Sequence, residues 1–153
     1  ISKLAAEGLC RDFFDRDGFQ TTVLRVSRFM DEPLGDIANY RLYRGLDERD
    51  GAAAHMLAAD ADFRDFELFL ISSKSPFQQS DLVALKLDAA SVIRKYHPQA
   101  DDWFAKRGWQ VFSEVDRVYV IRKAEQQLGY RPIFNFREFI QDHPAAEAHA
   151  RLP

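Results

Sequence analysis

The sequence predicts an α/β fold, and three observations carry that prediction. Strand-like and helix-like segments alternate along the chain instead of separating into halves. The run Phe66-Glu67-Leu68-Phe69-Leu70-Ile71 ends in consecutive apolar residues, the pattern of a central strand covered on both faces. Ile1, Leu4, Ala5, Gly8, Leu9 and Phe13 recur at one-face helical spacing, and a short β-branched stretch follows closely.

The elements are read in order. Residues 2–16 form a helix stopped at Asp17-Gly18. Thr21 to Val26 is a buried strand, and the polar stretch with Pro33 and Gly35 is a surface loop. A second, shorter strand spans Arg41 to Leu46, and Asp50 caps a helix through Ala59. After the Phe66–Ile71 strand, Ser80 or Asp81 caps a helix to about Leu87. Ala89 to Tyr96 is a further helix, stopped by His97-Pro98. Short helices follow over Ala100–Lys106, ended by Gly108, over Val118–Leu128, closed by Gly129, and over Phe136–Gln141, closed by Pro144. Residues 1–142 read as one domain and residues 143–153 as a flexible tail.

Composition bounds the function. At 153 residues the chain suffices to bury a core, and 46% hydrophobic with 29% charged residues is ordinary for a globular domain. Thirteen phenylalanines imply an aromatic core or apolar surface awaiting a partner segment. A net charge of −3 argues against a general nucleic-acid binder. The single cysteine, Cys10, excludes an internal disulfide and suits a reducing cytoplasm. No apolar run approaches membrane-spanning length, so no membrane partner is expected.

Four blocks carry a resemblance. They are Ser2-Lys3 with Glu7; Leu24-Arg25-Val26-Ser27-Arg28-Phe29; Leu46 through Arg49-Asp50 to Ala54-His55; and Leu128-Gly129-Tyr130-Arg131-Pro132. In this order and spacing they resemble the second half of extended short-chain dehydrogenases/reductases, the NAD-dependent epimerase/dehydratase family. The resemblance implies the C-terminal portion of a Rossmann-like fold with part of its small substrate domain. It implies an oxidoreductase or isomerase that binds NAD or NADP and works on a nucleotide sugar or similar polyol by hydride transfer. Self-assembly into a homo-oligomer is expected separately, because the edge at Val23–Val26 or Phe66–Ile71 would be left open to recruit a neighbour. Lys3 would end the family's Tyr-x-x-x-Lys motif, whose tyrosine falls just upstream of Ile1. The chain as given is therefore expected to be cut behind its catalytic tyrosine and inactive alone. No Gly-x-Gly-x-x-Gly occurs among its seven glycines.

The chemistry explains these residue types. A phenol with a pKa of about 10 is a weak base at neutral pH, and a cation one helical turn along stabilises its phenolate. By resemblance Lys3 takes that role and also holds the nicotinamide ribose; the alternative is a solvated Lys3 paired with Glu7. Val26 would approach the nicotinamide, while Ser27 and Arg28 would face substrate at a strand's C-terminal end. Arg28, standing where the family has asparagine, can grip a phosphate or carboxylate, or simply pair with Asp31 or Glu32. Arg41 and Arg44 either reach a diphosphate or lie on a solvated edge.

The remaining candidates read as structure. Cys10 is a buried small hydrophobe, and His55, His97, His143 and His149 lack metal-ligand spacing. Asp101-Asp102 starts a helix. A competing function is a non-catalytic binding module: residues 94–137 hold nine Lys/Arg against five Asp/Glu, interleaved with Trp103, Trp109, Tyr119 and Tyr130.

Overall fold

Two short strands, β1 (Thr22–Val26) and β2 (Glu67–Ile71), pair in parallel in the computed structural model, which describes residues 2–145. Their register sets Thr22 opposite Glu67 and Val26 opposite Ile71. The molecule is thus mixed helix and strand, broadly α/β, although among the described residues the sheet has two strands only. β2 has β1 as its neighbour, so it is not flanked on both edges; Phe69 and Ile71 are nevertheless fully buried.

Helix α1 (Ser2–Asp17) precedes β1, and Gly18, at φ 71°, turns the chain out of it. Two contacts fix its direction. Glu7 pairs with Arg25 near the end of β1, at 2.6 Å, while Phe14 packs on Phe66 just ahead of β2. The helix therefore runs antiparallel to both strands. The side it turns to them carries Glu7, Cys10 and Phe14, which are half-buried. The apolar face expected to be buried is instead outward: Leu9 is 56% and Phe13 42% exposed. Cys10 is accordingly half-buried rather than enclosed.

Between the strands lie α2 (Leu34–Arg41) and α3 (Glu48–Asp60). The segment expected to be a loop becomes α2 because Pro33 stands at its N-cap, where a missing N–H is harmless. The expected strand over Arg41–Leu46 reduces to a single parallel bridge between Arg28 and Gly45. Asp47, not Asp50, caps α3: its carboxylate accepts the Arg49 N–H at 3.0 Å.

Beyond β2, a 3-10 turn at Gln79–Asp81 leads into α4 (Leu82–Leu87), α5 (Ala89–Tyr96) and α6 (Ala100–Ala105). Asp88 caps α5 through the Ser91 N–H. Residues 118–121 are extended rather than helical, since Tyr119 donates its N–H to the Tyr43 carbonyl and Ile121 buries itself beneath β2. Residues 122–128 coil, the last five (Ala124–Leu128) as a π-type turn closed by Gly129 at φ 72°. Helix α7 (Phe136–Asp142) completes the described chain; the predicted tail lies outside the described residues from 146 onward.

Two cores result. One joins Leu46, Ala54, Phe69, Ile71, Ala124 and Tyr130 around the sheet and α3. The other joins Leu42, Leu85, Ile93, Phe104 and Phe136 among α2 and α4–α7. Among the described residues, no helix is long and apolar enough to cross a membrane.

Candidate functional site

Both parallel strands finish at the same end of the molecule, where open α/β sheets place their ligands. Ser27 leaves β1 with its N–H on the Ile71 carbonyl, 2.9 Å away. Ser73 leaves β2 with its N–H on the Gly45 carbonyl, at 2.8 Å, and the Ser72 hydroxyl donates to the same oxygen at 3.0 Å. Arg28 exchanges backbone hydrogen bonds with Arg44 and Leu46 across the bridge. Gly45 is thus the crossing point of three segments, and nothing larger fits: a Cβ there would lie 2.7 Å from the backbone of Tyr40 and Arg41.

A cleft of about 240 Å³ opens beside this crossing, lined by Arg28, Met30, Glu32, Tyr40, Gly45 and Arg49 among others. The Arg28 guanidinium grips both oxygens of Glu32 and lies over the Tyr40 ring, 4.8 Å from its centre. Arg44 lies over the same ring at 5.0 Å and over Tyr43 at 5.3 Å. Among the described residues Arg44 has no carboxylate within salt-bridge reach, and its Nε is buried without a partner. The Ser27 hydroxyl is likewise buried and unpartnered.

Of the sequence-predicted residues, the fold brings Ser27, Arg28 and Arg44 together and leaves Val26 partly exposed at the strand end beside them. Lys3 lies one turn before Glu7 on α1. Because that helix runs antiparallel to β1 and Glu7 meets Arg25, Lys3 sits about 6 Å further toward the strand ends. It is exposed and, among the described residues, in no ion pair; Glu7 pairs with Arg25 instead of Lys3.

Arg41 corrects the expectation of a solvated edge. It is only 6% exposed and donates to Asp47 at 2.9 Å and to the Phe134 carbonyl at 3.0 Å. Burial lowers its pKa, with Asp47 opposing that effect. Asp47 feels burial in the raising direction, but hydrogen bonds from the Arg49 side chain and backbone, then the Arg41 charge, hold it below the ordinary value. Arg41 therefore anchors the fold and is not free for a ligand.

Tyr40 is the residue that sequence reasoning missed. Its importance depends on the Arg28–Gly45 bridge, which no local signal announces. The basic and aromatic stretch of residues 94–137 is mostly engaged: Arg94 pairs with Asp101, Lys106 with Asp102 and Lys123 with Glu67. Arg107 donates to the carbonyls of Trp103, Ile140 and His143, and Tyr130 is buried with its hydroxyl on the Ser72 carbonyl. Among the described residues no three His, Cys, Asp or Glu side chains converge as metal ligands.

No protein-family model matches the chain, and searches of curated proteins and of solved structures return no match.

Proposed function

We propose that this chain is the C-terminal part of an NAD(P)-dependent epimerase, dehydratase or reductase of the extended short-chain dehydrogenase family. Its substrate is a nucleotide sugar or similar polyol, and its setting a cytoplasmic homo-oligomer. The observation that carries the reading is the placement of Lys3. A helix antiparallel to β1 sets this ammonium toward the end of the sheet at which Val26, Ser27 and Arg28 emerge.

The residues present fit one end of the cofactor. Lys3, exposed and in no ion pair among the described residues, would hold the nicotinamide ribose hydroxyls, and Val26 would lie against the ring. The pyrophosphate cradle is not in this sequence, which has no glycine fingerprint. When bound, the nicotinamide supplies the acceptor and donor of hydride. Lys3 contributes a positive charge one turn from a tyrosine four positions earlier, lowering the cost of its phenolate. The Ser27 hydroxyl and the Arg28–Glu32 pair orient substrate hydroxyl and acidic groups. The outward Leu9 and Phe13 on α1 support the homo-oligomeric part of the reading.

Calorimetry of the 153-residue chain with NAD and with NADP tests the first part. The reading expects no tight binding; tight binding would contradict it. The same titration on the chain extended upstream by the tyrosine and glycine-fingerprint half that the proposal requires should give saturable binding that Lys3→Met abolishes.

A further inference from the structure

We infer that the cleft between residues 74–82 and 118–125 takes an extended, acidic segment of a partner protein. That segment pairs with the open backbone edge at Val118 and Val120 and sets a carboxylate against Arg122. The cleft shares no lining residue with the one beside the Arg28–Gly45 crossing, so the inference stands apart from the hydride-transfer reading.

The edge arises from the backbone. Residues 118–121 are extended, and Tyr119 donates its N–H to the Tyr43 carbonyl at 2.8 Å. Along an extended chain the N–H and C=O of successive residues turn to opposite edges. Those of Val118 and Val120 therefore face away from Tyr43, and among the described residues they have no hydrogen-bond partner. An added strand is the structure that satisfies such a row, which is why a peptide fits it better than a compact small molecule.

The cleft has room for that strand. About 670 Å³ separates the extended segment from the opposite wall, which runs from Lys74 to Leu82, and no backbone hydrogen bond between described residues crosses it. Leu82 is 43% and Val120 64% exposed, so side chains on one face of an incoming strand find apolar contact. Charge then selects the sign of the partner. Lys74 and Glu125 neutralise each other at 2.7 Å, whereas Arg122 is exposed and, among the described residues, has no ion-pair or hydrogen-bond partner. Arg94, Lys106 and Lys123 of the same basic stretch are already paired. The lining thus carries one uncompensated cation beside an unfilled backbone edge.

The test is fluorescence anisotropy of the 153-residue chain with a dye-labelled hexapeptide alternating valine and glutamate, and with its valine–lysine counterpart. The acidic peptide should bind saturably and about tenfold or more tightly than the basic one. Val120→Pro deletes a free N–H without breaking an existing bond, and should weaken the acidic peptide by about tenfold or more. Arg122→Glu should reverse the preference between the two peptides. No binding of the acidic peptide overturns the inference, as do equal affinities for both peptides or an undiminished affinity in Val120→Pro. Dimerisation that Val120→Pro abolishes, with no peptide bound, assigns the edge to a second copy of the chain and overturns the inference too. If Val120→Pro does not fold, Arg122→Glu, a change at an exposed side chain, decides alone.

Discussion

Asp50, on the first turn of α3, accepts the backbone N–H of Phe134 at 2.9 Å, and of Ile133 at the same distance. A carboxylate only 2% exposed thereby ties the segment leading into α7 to the helix that follows the Gly45 crossing. Replacing it with alanine leaves these two backbone donors without their acceptor, so Asp50→Ala should cost roughly 1–3 kcal/mol in denaturant unfolding.

Burial raises the Asp50 pKa, outweighing the two N–H groups that lower it. A raised value means that the native state holds the proton more tightly than the unfolded chain. From the ordinary carboxylate value of 3.8 up to the raised one, this group's contribution to stability therefore falls as pH increases. Asp50→Asn should remove that slope in a series of unfolding curves, at the cost of a weaker acceptor.

Asp81 behaves in the opposite sense. Hydrogen bonds from Tyr96, at 2.5 Å, then Lys95 and the Gln78 N–H hold its pKa down to about 2. Its stabilisation is complete above the unfolded value of 3.8 and is lost as pH falls toward about 2. Tyr96→Phe removes the largest of these causes, so its acid-unfolding midpoint should rise. An unchanged midpoint would show that the Tyr96 contact contributes nothing.

Gly45→Ala should be among the most destabilising single substitutions in the chain. The added methyl meets backbone atoms of Tyr40 and Arg41 at 2.7 Å, which no side-chain rotation can relieve. A loss of about 3 kcal/mol or more in thermal or chemical unfolding is expected.

What the sequence made legible was whatever local chemistry decides. α5 runs from Ala89 and ends before His97-Pro98, and both strands lie where β-branched or apolar residues cluster, although β1 is half-buried to exposed rather than buried as expected. What it concealed depends on contacts between distant segments. Residues 118–121 carry a helix-compatible pattern, yet stretch out because Tyr43 offers a carbonyl to Tyr119. Leu9 and Phe13 keep helical spacing but face outward, while Glu7, Cys10 and Phe14 take the side toward the sheet, Glu7 on Arg25 and Phe14 on Phe66. The site divides the same way. Ser27 and Arg28 were readable as a strand end, whereas Tyr40 and the burial of Arg41 appear only once the Arg28–Gly45 bridge has formed.

The account rests on Lys3 serving a nicotinamide at the end of a parallel sheet. Its most direct measurement follows reduced-nicotinamide absorbance when the chain, extended by the upstream half that the proposal requires, meets NAD or NADP and a panel of nucleotide sugars. The account predicts turnover or exchange of hydride that Lys3→Met abolishes while the melting curve stays in place. Undiminished activity in Lys3→Met, or no cofactor binding by the longer protein, would contradict it.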